Sequence, residues 1–325
     1  MKAIQIQADK SLTWQDVADP APPQAHQIAI KVHATAINRA DLMQRLGMYP
    51  PPPGASDILG LECAGEVSAV GKGVSRWKPG DKVCALLSGG GFAETVVCHA
   101  DHALPVPDGF SFQQAAALPE VFATAWSNIY MLGNTEPGQK VLLHAGASGV
   151  GTAAIQLCKQ FGNPVFVTVG EQAKLDRCLE LGAAAGHLRH DGDFTEVVKT
   201  WAGKDGVATI LDPVGGNYLE QNLKCLGTDG RLVIIGLMGG RSAELDLGRL
   251  LIKRIQVIGS TLRSRDNESK AHIISQLNNK VWPLFTQGKL NPVIDRQYPI
   301  EQANAAFDVV DQNKTTGKVI LNLAH

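Results

Sequence analysis

Net charge is almost absent from this chain: 30 lysines and arginines stand against 31 aspartates and glutamates in 325 residues, a formal charge of −1. Such a chain carries no basic field to grip a phosphate backbone or an anionic membrane, which argues against nucleic acid and lipid as partners. A membrane-length apolar run is missing too, because the best stretch, 141–158, is broken by His144, Gly146, Ser148, Gly149, Gly151 and Thr152. The lysine at position 2 has no long apolar segment behind it, so neither a secretory signal nor a transit peptide is read, and the expected location is the cytoplasm. Six cysteines, Cys63, Cys84, Cys98, Cys158, Cys178 and Cys225, include no Cys-x-x-Cys pair and read as free, mostly buried thiols. No internal repeat or low-complexity tract is present.

What is there is a globular composition, 44% hydrophobic and 19% charged, with 34 glycines that imply many tight turns. At roughly 150 residues per domain the length predicts two domains. Residues 1 to about 120 alternate short β-rich runs (27–32, 64–70, 81–86, 93–97) with Pro- and Gly-rich turns and predict an all-β, barrel-like unit. From about 121 the rhythm becomes strand, helix, strand. Strands at 140–144, 164–169, 207–211, 231–235 and 255–259 alternate with helices at 149–161, 172–181 and 218–226, the pattern of βαβ units on a parallel sheet. One helix over 269–287 and a closing strand at 318–323 complete the expectation.

The run from Val141 through Gly146, Ala147, Ser148, Gly149, Val150 and Gly151 to Leu157 spells strand, tight turn and helix. A dinucleotide pyrophosphate needs that shape: glycine lets the backbone approach the phosphates, and the helix N-terminus offers N–H groups and a positive dipole. Ser148 stands where the plain fingerprint has its second glycine. Val150 prevents the alternative reading as a hydrolase nucleophile elbow. The second strand ends at Val169-Gly170 without the acid that would bind a ribose 2′-hydroxyl, and Lys174 and Arg189 follow, both suited to a 2′-phosphate. NADPH is therefore expected over NADH, with Glu171 arguing the other way and Lys174 open to reading as a solvated helix charge.

The segments Ala36 to Arg45, Gly47 to Pro52, Leu59 to Val67 and Ala145 to Gly151, in this order and spacing, resemble the zinc-independent quinone oxidoreductase (zeta-crystallin) branch of the medium-chain dehydrogenase/reductases over essentially the whole chain. Within it, Leu237 to Gly240 and Leu262 to Asn267 are similar to the tumour-suppressor-inducible quinone oxidoreductases. The resemblance implies an α/β protein in which a GroES-like β-barrel catalytic domain (1–120 and 264–325) receives an inserted Rossmann doubly wound parallel-sheet domain (121–263). It also implies a cleft between the two and a homodimer through the edge strand Ile255 to Gly259. Zinc-dependent relatives place cysteine and histidine ligands at the positions of Asn38 and Leu61, neither of which serves as a thiolate or imidazole does, so no metal is expected. Cys98-His99-Ala100-Asp101-His102 has metal-binding residue types, but without a second cluster it reads as a surface turn.

Without a metal to stabilise an alkoxide, an electrophilic acceptor suits the chemistry. Quinones and α,β-unsaturated carbonyls accept hydride while charge spreads onto an oxygen that a few donors can stabilise. The resemblance puts Asn38 and Tyr49 beside the nicotinamide as candidate donors, Tyr49 also as a candidate proton relay from solvent; turn capping by Asn38 and loop packing by Tyr49 compete. Thr124 corresponds to a threonine near the nicotinamide, although a helical threonine also bonds its own backbone. Gly236, Leu237 and Met238 end the fifth parallel strand, where a backbone contact from Met238 to the cofactor is expected. Asp212, also at a strand end, reads equally as a loop-shaping acid. The predicted function is NADPH-dependent quinone reduction; the alternatives are enone or alkenal reduction and a low-turnover NADPH-binding protein of crystallin type.

Overall fold

The computed structural model describes residues Met1–Ala324, which divide into two compact units: residues 1–123 with 262–324, and Thr124–Thr261 inserted between them. In chain order the strands are β1 (Lys2–Ile6), β2 (Leu12–Asp16), β3 (Gln27–Ala36), β4 (Glu62–Val70), β5 (Lys82–Leu86), β6 (Thr95–His99), β7 (Ala103–Pro105), β8 (Val141–His144), β9 (Val165–Val169), β10 (Ala185–Leu188), β11 (Val207–Asp212), β12 (Leu226–Ile234), β13 (Gln256–Gly259), β14 (Ile294–Pro299) and β15 (Lys318–Asn322). Among the described residues no helix is long and apolar enough to cross a membrane.

The first unit is built on a seven-stranded sheet in the order β14-β15-β3-β4-β5-β7, with β6 also on β3; β1 and β2 pair as a separate two-stranded sheet that bridges to residues 92–94. All its pairs are antiparallel except β14–β15. The expectation of an all-β unit needs correction, because helices Arg39–Arg45 and Phe112–Ala116 lie within it. Both carry N-terminal signals in sequence. The Asp41 carboxylate accepts the Asn38 amide at 2.8 Å, and Ser111 and Gln114 exchange side-chain and backbone bonds at 2.9 and 3.2 Å as a capping box. The helix expected over 269–287 is two, Asn267–Lys280 and Trp282–Thr286, since Pro283 has no N–H to continue the first and suits the opening turn of the second.

The second unit is a six-stranded, all-parallel sheet in the order β10-β9-β8-β11-β12-β13. Numbered within that sheet the order is 3-2-1-4-5-6, the doubly wound arrangement whose switch point lies between its first and fourth strands, here β8 and β11. Every residue of β8 (VLLH) and β9 (VFVTV) is buried, which is why these strands read as continuous apolar runs rather than alternating ones. β10 carries no strand signal in sequence, because AGHL, half-buried at the sheet edge, has neither alternation nor an apolar run.

Candidate active site

The glycine turn leaves the carboxyl end of β8 beside the switch point. Ala145 takes a left-handed φ of 53°, uncommon for a residue with a Cβ, and its carbonyl accepts the Ser148 amide at 2.9 Å. Ser148 caps the helix Gly149–Gln160: its Oγ accepts the Gly151 amide at 3.0 Å and its carbonyl the Thr152 amide at 2.8 Å. The amides of Gly149 and Val150 remain at the helix mouth for an anion. A Cβ on Gly146 would lie 2.7 Å from Val167 Cβ, and one on Gly151 would collide with the carbonyls of Gly146 and Ala145, the latter at 2.6 Å. These contacts leave space for glycine only, so the turn fits a dinucleotide pyrophosphate.

At the ends of the next two strands, Arg189 donates its amide to Val169 at 2.8 Å and lays its exposed guanidinium along Gly170, about where a side chain there would point. Gly170 and Arg189 are thus brought together. Lys174 sits half-buried in the first turn of helix Gln172–Leu181, and Glu171 precedes it, exposed and without a side-chain capping bond. Thr124 is buried near the end of helix Pro119–Trp126, and its carbonyl accepts the Asn128 amide group at 2.7 Å at the start of a π-helical turn, Ser127–Leu132. Gly236, Leu237 and Met238 follow β12, which ends at Ile234. Leu237 and Met238 are exposed, but the Met238 N–H donates to the Pro213 carbonyl at 3.2 Å, so only its carbonyl remains for a cofactor. Asp212 is the loop-shaping acid, accepting the amides of Val214 and Gly215 at 2.6 and 3.1 Å.

Behind the turn runs a buried chain that sequence reading missed. His144 Nε2 meets Asn222 Oδ1 at 2.6 Å, Nδ1 meets Thr168 Oγ1 at 2.8 Å, and Asn222 Nδ2 donates to Asp212 Oδ2 at 3.0 Å. Because the Asp212 carboxylate only accepts, Asn222 presents its oxygen to His144, whose Nε2 then carries the hydrogen while Nδ1 accepts from Thr168. Burial holds the imidazole below its ordinary pKa, against the pull of Asp212. The chain ties together the carboxyl ends of β8, β9 and β11.

In the first unit, Asn38 stands at the N-cap of helix Arg39–Arg45, but its side chain turns to a buried pair. Lys318 Nζ bonds Glu62 Oε1 at 2.7 Å, Asn38 Oδ1 at 2.7 Å and the Ile37 carbonyl at 2.9 Å, while Asn38 Nδ2 donates to Glu62 Oε1 at 3.0 Å and the Ala36 carbonyl at 3.4 Å. Lys318 can only donate and Glu62 only accept, which fixes the amide's orientation. The expectation that Asn38 donates to a substrate oxygen is therefore corrected: its hydrogens are committed inside the protein, and it offers a ligand only a lone pair. Asp41 accepts the amides of Asn38 and Gly60, at 2.8 and 3.0 Å, and burial pushes its carboxyl up to about 6. Tyr49 is half-buried ahead of its prolines, under the guanidinium of Arg263 at 5.5 Å; burial pushes its phenol up while Arg263 pulls it down. Glu62 and Lys318 were legible only as charges within apolar strands, a signal that does not say what they meet.

Cys98 to His102 forms the end of β6 and a single 3-10 turn. It is not the surface turn expected, since Cys98 and His102 are buried and His102 Nε2 meets the Asn267 carbonyl at 3.1 Å. Burial pushes His102 down to about 4. Among the described residues no three His, Cys, Asp or Glu side chains gather as a metal site.

Residues 149–278 match the family model of the zinc-binding dehydrogenases, and residues 24–108 that of the alcohol dehydrogenase GroES-like domain. The quinone oxidoreductase of Rattus norvegicus is 32% identical over 310 residues, 95% of this chain and 92% of that protein. Among solved structures, Escherichia coli quinone oxidoreductase complexed with NADPH superposes with a TM-score of 0.86 at 29% identity, covering 99% of this chain and 98% of that one. CurK enoyl reductase does so at 0.86 and 28%, covering 99% of each. The residues here do not fit the zinc that the first model's description implies. Asn38 and buried Leu61 occupy the positions that resemble its ligand sites, and a lysine ammonium already bonds Asn38 and Glu62. The nucleotide turn, the doubly wound sheet and these relatives together place the chain in the medium-chain dehydrogenase/reductase superfamily, as an NAD(P)-dependent oxidoreductase of its quinone oxidoreductase branch.

Proposed function

We propose that the protein reduces quinones with NADPH, without zinc. The observation that carries this reading is the Lys318 ammonium bonded to Asn38 and Glu62, where metal-dependent relatives would gather their ligands. A site so occupied suits an acceptor that is electrophilic on its own, and a quinone spreads the arriving charge over a conjugated system. NADPH supplies the hydride. The chain's part is to grip the pyrophosphate at Gly149 and Val150, to meet the 2′-phosphate with Arg189 and Lys174 beside Gly170, and to offer the Tyr49 phenol as proton donor to the reduced acceptor. With the Asn38 hydrogens committed, Tyr49 is the remaining donor of the expected pair. The likeness to an enoyl reductase favours activated alkenes as a second acceptor class, since they take hydride from the same cofactor pose.

The reading extends to a cytoplasmic location, supported by six free, buried thiols, and to a homodimer through β13. Among the described residues that strand pairs with β12 alone, Val257 on it is 38% exposed, and Leu251 and Ile252 in the neighbouring helix Leu247–Lys253 are 78% and 79% exposed. The functional test is oxidation of NADPH and of NADH with an ortho-quinone, a para-quinone and a simple enone, in the wild type and in Lys174→Ala/Arg189→Ala. Quinone turnover that prefers NADPH, with the preference lost in the double variant, is expected. Cofactor binding with no acceptor reduced would overturn the reading.

A further inference from the structure

Arg263 is 4% exposed and forms no ion pair among the described residues. Its Nε donates to the Ser88 carbonyl at 2.8 Å and its Nη1 to the Tyr49 carbonyl at 3.2 Å, while Nη2 is buried without a hydrogen-bond partner. The guanidinium carbon lies 5.5 Å from the centroid of the Tyr49 ring. Lys270 anchors the arrangement from below, bonding Ser88 Oγ at 2.5 Å and the Arg263 carbonyl at 2.7 Å. A buried cation without a carboxylate is costly, and here its field is directed at one aromatic ring and the loop that carries it.

We propose that Arg263 is a positioning residue for the proton-donating step, fixing the Tyr49 ring and favouring release of its phenolic hydrogen to the reduced substrate; this rests on the reading of Tyr49 as the donor. Hydride leaves the dihydronicotinamide with its electron pair and joins the acceptor, which becomes an oxygen anion as the cofactor is oxidised. The Tyr49 O–H bond breaks, a new O–H bond forms on that oxygen, and water returns a proton to the phenolate. The charged groups that act on this pair are few. Glu120 opposes ionisation of the phenol, Arg263 favours it, and Asp41 and Lys270 act on Arg263 with opposite signs. Removing the guanidinium leaves burial and Glu120 unopposed, so the phenol becomes a weaker acid.

The test compares kcat and KM from neutral to alkaline pH in the full-length wild type, Tyr49→Phe, Arg263→Met and Arg263→Lys. Arg263→Met is expected to lower kcat at neutral pH about ten-fold with KM little changed, and to move the alkaline limb of kcat to higher pH. Arg263→Lys, which keeps the charge, should restore most of the limb. Arg263→Gln serves if the methionine variant fails to fold, since it keeps a donor without the charge. An equal loss at every pH with the limb unmoved overturns the proposal and leaves Arg263 a purely structural group. Tyr49→Phe with wild-type kcat and profile overturns the donor reading itself, a failure distinct from an unmoved limb in the Arg263 variants when Tyr49→Phe is slow.

Discussion

Lys318 Nζ lies 2.7 Å from Asn38 Oδ1 and the same distance from Glu62 Oε1, all three residues buried and drawn from β15, the start of a helix and β4. One ammonium therefore holds together three distant parts of the catalytic unit. Removing one member of such a pair leaves an uncompensated charge in the core. Lys318→Met should cost roughly 3–5 kcal/mol, and Lys318→Met/Glu62→Gln should recover part of it. Urea unfolding of the singles and the double measures the coupling; additive losses would mean the contact contributes nothing beyond its parts.

Asp41 gives the same unit a pH signature. Its carboxyl, fully buried and pushed up to about 6 from an ordinary 3.8, holds a proton more tightly folded than unfolded. Between those values the folded state binds more protons, so this contribution to stability rises as pH falls through the window and is lost as pH rises through about 6. Asp41→Asn removes the titration. The wild type should gain on the variant as pH drops from about 6 towards 4, read from urea midpoints; a difference that grows towards alkaline pH would show that the Asn38 and Gly60 amides hold the carboxylate ionised.

Gly151→Ala places a methyl group against the carbonyls of Ala145 and Gly146. The helix mouth must shift, and NADPH affinity measured by fluorescence titration should fall at least ten-fold, about 1.4 kcal/mol, while far-UV circular dichroism stays native. Unchanged affinity would move the pyrophosphate away from this turn.

Asn222→Asp would set two carboxylates about 3.0 Å apart where an amide now donates to Asp212. One of them must then take up a proton or the chain must open. A loss of roughly 3 kcal/mol is expected near neutral pH, shrinking in acid; Asn222→Ser, which keeps a donor, should be milder. Thermal unfolding across pH decides.

If β13 pairs with a second copy, charge on its exposed apolar neighbours should part the two. Leu251→Glu/Ile252→Lys is expected to give a monomer by sedimentation equilibrium with cofactor affinity retained. A wild type that is already monomeric, or a variant that stays dimeric, would rule out this face.

Much of the nucleotide-binding unit was legible because its determinants are local. The turn from Ala145 to Gly151 is written in seven consecutive residues, β8 and β9 are apolar because both their faces are covered, and helix Gln172–Leu181 begins and ends where its periodicity does. The two short helices at Arg39 and Ser111's cap carried readable capping signals that strand alternation around them obscured. β10 and β14 carried little signal, since their partners decide that they are strands.

The sequence by itself determined the class of fold, the glycine turn and the absence of zinc-type side chains at Asn38 and Leu61, because each follows from residue type and spacing along a short stretch. Only the tertiary structure decided which way the Asn38 amide faces, that Lys318 meets Glu62 from 256 positions further along the chain (318 − 62), that His144 is buried between Thr168 and Asn222, and that Arg263 lies over Tyr49. The physical reason is common to all four. A buried polar group takes its orientation, charge state and role from its partners, and those partners come from segments that touch only once the chain has folded.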